Sequence, residues 1–235
     1  MSLPVDDQGL LRCIETIAHP KTKFMLLKQC TDFIMQVETA DYPCTPLFVD
    51  SRFLKLVNNE PSERKKELPS SSKILEGLEK LVGASYIWGG NCSRGIPELL
   101  EFYPPKSILH KEKERLWTLK GVDCSGLLYQ ATDGFTPRNT SWLTQFGKPV
   151  LIENLSAKEI CKLVRPLDLI VWHGHVIVIL DSNAVIESRG GAGVVIGELC
   201  SRLEELAHEL KKNPSNQPPI SNKDYFVIRR WAGKS

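Results

Sequence analysis

A thiol, a histidine pair and a set of flanking acids and hydroxyls have the types and spacing for nucleophilic catalysis. In GVDCSGLLYQ, Cys124 lies between Asp123 and Ser125 and opens a short apolar run that ends at Gly134. A helix starting there would turn its unpaired N–H groups and partial positive charge toward the sulfur, which favours thiolate. The same N–H groups could hold the oxyanion of a tetrahedral intermediate, worth about 3 kcal/mol per donor in hydrolases. A base is needed, and His175 opens the apolar run HVIVIL, where a lone polar residue requires a reason. His173 lies two residues earlier and, on an unbroken strand, would share its face, so either histidine is a candidate. The imidazole needs a third group on its other nitrogen, and Glu187 and Ser188 are the polar candidates on a paired strand.

Other readings of these residues are structural. Asp123 and Ser125 suit helix capping. His173, His175 and Cys124 could ligate a metal, but no second thiol or carboxylate falls at ligand spacing, so neither a metal nor a cofactor is expected. The seven cysteines are odd in number and lack CxxC pairs, which predicts reduced thiols, with Cys13, Cys30, Cys44, Cys161 and Cys200 as structural residues.

The elements that must hold this chemistry fall into two regimes. SSKILEGLEKLVG has capping serines, leucine periodicity and a glycine stop; SAKEICKLV opens with a capping box of Ser156 and Glu159; ELCSRLEELAHELKK restores helical spacing. Between and after them LDLIVW, HVIVIL, AVIES, GVVIG and YFVIRRW are short and β-branched, separated by Gly, Asp or Asn turns or by the loop NPSNQPPISN, and read as antiparallel strands. The expectation is an α+β fold, helices packed on a mainly antiparallel sheet. Upstream, QGLLRCIETIA and KFMLLKQCTDFIMQV have helical spacing and TPLFVD reads as a strand. The shift to NEPSERKKELPSSS marks a boundary, giving an N-terminal module over 1–70, helical or mixed, and a main domain over 71–235. Residues 91–120, with Pro104 and Pro105, look like an insertion.

Composition narrows the function classes. The 235 residues are 42% hydrophobic and 25% charged with a formal charge of +2, which argues against disorder and against a nucleic-acid partner. ERKKE is interrupted by acids and reads as a solvated linker. Neither a secretory leader pattern nor a membrane-length apolar run is seen, so the expectation is a cytoplasmic protein.

The ordered motifs resemble the NlpC family of papain-like cell-wall cysteine peptidases. Tyr86 with Trp88, Gly89 and Gly90, then Asp123 to Gly126, Pro137 with Arg138, Pro166 to Leu169, and His175 with Val176 follow the family's order across residues 81–189. The resemblance implies hydrolysis of an amide bond in peptidoglycan peptides, usually between γ-D-glutamate and meso-diaminopimelate or another diamino acid. It makes Cys124 the nucleophile, His175 the base, and Tyr86, Asp123 and Ser125, beside Trp88, the pocket for the substrate's free amine. Three positions depart from the family pattern: Glu187 stands where His is common, Leu167 where Gly is common, and residues 91–120 replace a short connection. Two alternatives remain: an acyltransferase or amidase using the same Cys–His dyad, and a wall-peptide binding protein impaired in catalysis.

Overall fold

The computed structural model describes residues 3–218 and 224–232, and the chain divides into two compact units. Ala18–Glu67 forms one, and the residues before Ala18 join the large unit that resumes at Leu68. The division therefore differs from a single boundary at residue 70: the chain's start belongs with the main domain.

The smaller unit is β rather than helical. Strands β1 (Met25–Gln29), β2 (Ile34–Glu38) and β3 (Leu47–Asp50) form an antiparallel meander. The stretch expected to be one helix folds as the β1–β2 hairpin, because Thr31 and Asp32 supply turn chemistry at its middle. Thr31 Oγ1 accepts from Ile34 N at 3.2 Å and Cys30 N donates to Ile34 O at 2.8 Å. Asp41 gathers Lys66 at 2.8 Å and Thr22 at 3.0 Å. Residues 8–18, also expected to be helical, run as turns and extended chain.

In the larger unit, α1 (Ser71–Glu79) is capped by Ser70 and buries Ile74 and Leu78. The segment 91–120 contains β4 (Asn91–Cys92), α2 (Glu98–Phe102) and α3 (Lys111–Trp117), and leads to β5 (Gly121–Val122), which pairs with β4. Next come α4 (Cys124–Ala131), α5 (Thr140–Leu143), β6 (Lys148–Val150) and α6 (Ala157–Leu163), whose Ser156–Glu159 capping box is formed. Strands β7 (Leu169–Trp172), β8 (His175–Ile179), β9 (Ala184–Arg189) and β10 (Gly193–Glu198) lead to α7 (Leu199–His208), β11 (Asn213–Pro214) and β12 (Tyr225–Arg230). The main sheet runs β10-β9-β8-β7-β12-β11, with β6 also on β12, and every pair is antiparallel except β11–β12. The fold is α+β. The loop expected over residues 213–222 lies partly on residues 219–222, outside the described residues.

Strand periodicity splits the core into two sides. Leu169, Val171, Val176, Val178 and Ile186 face α1 and α4, whereas Ile170, Trp172, Ile177, Ile179 and Val185 face α6 and α7. A sheet covered on both faces explains why these strands are almost wholly apolar. The same alternation puts Glu187, two residues after Val185, on the α7 side. A satellite core of Leu11, Ile87 and Leu119, with Ile14, Ile17 and Leu116 around it, fastens the chain's start to the insertion.

Cys161 and Cys200 join α6 to α7 by a disulfide, which corrects the expectation of reduced thiols throughout. Their 39-residue separation has no motif spacing, and only the packing of the two helices brings them together. Among the described residues, no helix is long and apolar enough to cross a membrane.

Candidate active site

Helix α4 begins at the thiol because Asp123 caps it. The Asp123 carboxylate accepts from Gly126 N at 2.7 Å while its backbone stays extended. Gly126 is required by close approach, since a Cβ there would land on the Gly90 carbonyl oxygen. The WGG motif and the nucleophile motif thus touch through backbone.

Cys124 is buried, and its Sγ lies 3.9 Å from Gly174 O, at the turn before His175. Burial pushes the thiol up to about 12 and the Asp123 charge adds to that; Arg138 and the backbone N–H groups of Val176 and Ser125 act the other way. At rest the sulfur is therefore protonated. It is poised against the residues on either side of His175, but its hydrogen bond goes to a carbonyl rather than to the imidazole. Such contacts commonly tighten only when substrate binds.

Trp172 and His175 are opposite each other across a two-residue hairpin turn of His173 and Gly174, with Gly174 at φ +107. The strand is thus broken between the two histidines. His173 is an exposed turn residue, whereas His175 opens β8 and is partly buried. Thr140 Oγ1 accepts from Gly174 N at 3.1 Å and anchors the turn. The Trp172 ring covers the imidazole at 5.0 Å between centroids.

Glu187 and Ser188 point to opposite sides of the sheet. His175 Nε2 lies 2.7 Å from Glu187 Oε2, whereas Ser188 points to the opposite side and donates to Val122 O at 2.7 Å. With Glu187 as acceptor Nε2 is the donor, and any base role of the ring would fall to Nδ1. Burial alone would raise the Glu187 carboxyl, but hydrogen bonds and charge from His175 and Arg202 hold it below its ordinary value. Arg202 Nε reaches Glu187 Oε1 at 2.8 Å and its NH2 reaches Oε2 at 3.1 Å. Sequence reasoning missed Arg202. The signal was present, because a charge at 202 falls on the Leu199, Leu203 and Leu206 stripe that α7 buries.

The residues assigned to an amine pocket are engaged within the protein. Arg138, 2% exposed in its side chain, meets Asp123 through NH1 to Oδ1 at 2.9 Å and NH2 to Oδ2 at 2.7 Å. It also donates to Ser125 Oγ at 2.8 Å, to Gly90 O at 3.3 Å and to Thr16 Oγ1 at 3.1 Å. Tyr86 is partly buried, and its phenol is held above its ordinary value by burial, with the charges of Cys124 and Asp123 adding to this. Trp88 lies under the Arg12 guanidinium, 4.0 Å from ring centroid to Cζ. The sequence quoted Arg138 only as part of a motif, and gave no sign that Thr16 or Arg12 would join these residues.

Leu167 takes φ +69, the left-handed conformation for which glycine is suited, and it is buried. The turn is kept with a side chain that fills the core.

No protein-family model matches the sequence, and no curated protein does. Among solved structures, the chain is similar to an NlpC/P60 family protein from Bacillus cereus ATCC 10987, at 16% identity over 89% of this chain, with a TM-score of 0.41. It spans 54% of that protein's length, about half. It is similar to RipD from Mycobacterium tuberculosis, described as a non-catalytic NlpC/p60 domain protein adapted to peptidoglycan binding, at 17% identity over 68% of this chain and 95% of the other, with a TM-score of 0.40. It is also similar to NlpC1 from Trichomonas vaginalis, at 14% identity over 91% of this chain and 60% of the other, with a TM-score of 0.39.

Proposed function

We propose that the protein is a cysteine peptidase that hydrolyses an amide bond in peptidoglycan-derived peptides, at the link between γ-D-glutamate and meso-diaminopimelate or another diamino acid. The observation that carries the reading is the 2.7 Å contact of His175 Nε2 with a buried, ionised Glu187, beside a thiol at a helix start. The ordered motifs quoted from the sequence supply the substrate class. In this reading Nδ1 of His175 takes the thiol proton as Cys124 Sγ attacks the carbonyl carbon. The N–H groups of Cys124 and Ser125 at the start of α4 face the oxyanion, because they lie outside the helix's own ladder, whereas that of Gly126 is taken by the Asp123 cap. The imidazolium, stabilised by Glu187, returns the proton to the leaving amine. Water then cleaves the thioester with the imidazole as base.

Asp123, Ser125 and Tyr86 read the substrate's free amine. Asp123 Oδ2 accepts from Arg138 and retains a lone pair for an ammonium donor.

Incubation with L-Ala-γ-D-Glu-meso-diaminopimelate, followed by mass spectrometry, tests the reading. The expected products are the L-Ala-D-Glu dipeptide and the free diamino acid. Absence of cleavage by wild type, or equal cleavage by Cys124→Ala, overturns it. The thiol pushed up to about 12 and bonded to Gly174 O favours a second reading, a peptide-binding protein without turnover. Calorimetric binding of the same tripeptide without product would select that reading.

A further inference from the structure

Glu187 is held from two sides. On the sheet it meets His175, and from α7 the Arg202 guanidinium closes on both carboxylate oxygens, so that Oε2 is shared between imidazole and guanidinium. Arg189 on the same strand stands 3.8 Å from Oε1, and Glu205 on α7 meets Arg202 NH1 at 2.7 Å. The charged groups facing Glu187 are therefore His175, Arg202 and Arg189, and those facing Arg202 are Glu187 and Glu205. Arg202 and Glu187 are 8% and 4% exposed in their side chains, while Arg189 is 41% exposed, so the charge of Arg202 is the less screened.

We propose that Arg202 is a positioning residue of the catalytic centre: its two-pronged contact fixes the rotamer of Glu187 and keeps it an acceptor, so that His175 presents Nδ1 to the thiol. The proposal rests on the hydrolytic reading of Cys124, His175 and Glu187, and it assigns to α7 a part in catalysis without contact with substrate. Physically, a lone carboxylate in this position would be desolvated on the α7 side and free to rotate or to take up a proton. A protonated Glu187 is a donor on one oxygen and no longer selects the Nε2–H tautomer of the imidazole. The guanidinium removes both escapes, by geometry and by charge. Lysine in its place would keep the charge but lose the fork.

Two variants separate these functions from a merely structural one. In Arg202→Met the positive potential beside the Glu187–His175 pair is gone, so the pair holds a proton more tightly. The acid limb of the kcat/KM profile then moves up by about one pH unit, and kcat falls by about 100-fold with KM nearly unchanged. In Arg202→Lys the acid limb stays in place and kcat falls by about tenfold. Equal kcat for Arg202→Lys and wild type overturns the proposal, including when Arg202→Met does not fold. A destabilised but folded Arg202→Met with an unmoved acid limb overturns it as well.

The imidazole nitrogens provide a readout independent of turnover. With 15N-labelled histidine at pH 7, His175, assigned from its absence in His175→Gln, gives the Nε2–H tautomer in wild type and loses that preference in Arg202→Met. If wild type cleaves nothing yet this tautomer difference is found, the peptidase reading falls and the positioning role stands. If wild type cleaves and the tautomer is the same in both proteins, the positioning role falls alone.

Discussion

Two buried guanidinium–carboxylate pairs flank the site, one at each face of the sheet, and they differ in where their hydrogen bonds end. Arg138 spreads its donors over Asp123, Ser125, Gly90 O and Thr16, so it ties the α4 cap, the WGG backbone and the chain's start into one knot. Arg202 concentrates on Glu187, and through it on His175. The first pair ends in the cap of α4, in backbone and in Thr16, besides the two side chains that the proposed reading gives to the substrate's amine. The second ends in the imidazole to which the proposed reading gives the exchange of a proton with the thiol. A buried ion pair is thus no indicator of function by itself; the destination of its hydrogen bonds is.

The comparison breaks most visibly at Arg138. Arg138→Met leaves Asp123 without its guanidinium and Thr16 Oγ1 without that donor, while Gly90 O keeps only Asp123 N at 2.9 Å, and the expected loss is about 3–5 kcal/mol in urea unfolding. Arg202→Met is expected to lose less, about 2 kcal/mol, because Glu187 keeps the imidazole as partner. Equal losses would mean that the two pairs serve the same structural purpose.

What the sequence discloses follows the same division. Strands β7 to β10 and the capping box at Ser156 are local patterns, and so are the helix start at Cys124 and the strand start at His175, so these placements are legible. Arg202 lies 27 positions after His175, and its partnership with Glu187 exists only because β9 and α7 pack on one another. The β1–β2 hairpin was misread because its apolar residues match helical spacing as well as strand spacing, and the Thr31–Asp32 turn decides between them. The Cys161–Cys200 pairing was illegible for the same reason as Arg202, namely that two helices must first be packed. Which of Ser188 and Glu187 meets His175 depends on the face each occupies, a matter of one residue of register.

Glu187→Gln sharpens the contrast through pH. The Glu187 carboxyl is held below its ordinary value in the folded protein, so its contribution to stability is present above the ordinary carboxylate range and disappears as pH falls through the lowered value. Wild type is therefore expected to exceed Glu187→Gln in stability at neutral pH, and the gap in urea midpoint should narrow on acidification. A gap independent of pH would mean that Glu187 acts through shape rather than charge. Turnover by Glu187→Gln should fall by about 10- to 100-fold, because the imidazolium loses its counter-charge.

The smallest effect lies at the outer end of the Arg138 knot. Thr16 Oγ1 accepts from Arg138 Nε at 3.1 Å, on a stretch that also meets Asn91 through Ile17 N at 2.8 Å. Thr16→Val preserves the side chain's shape while removing that acceptor and the hydroxyl's bond to Asn91 Oδ1 at 3.2 Å, at an expected cost of about 1 kcal/mol, since the guanidinium stays paired elsewhere and Asn91 Oδ1 keeps Ile17 N. Turnover should be unchanged, because Asp123 retains both of its bonds to Arg138 and the α4 cap is undisturbed. If Thr16→Val instead lowers turnover in proportion to the loss at Arg138, the chain's start belongs to the catalytic machinery, and the Arg138 pair serves chemistry as the Arg202 pair does.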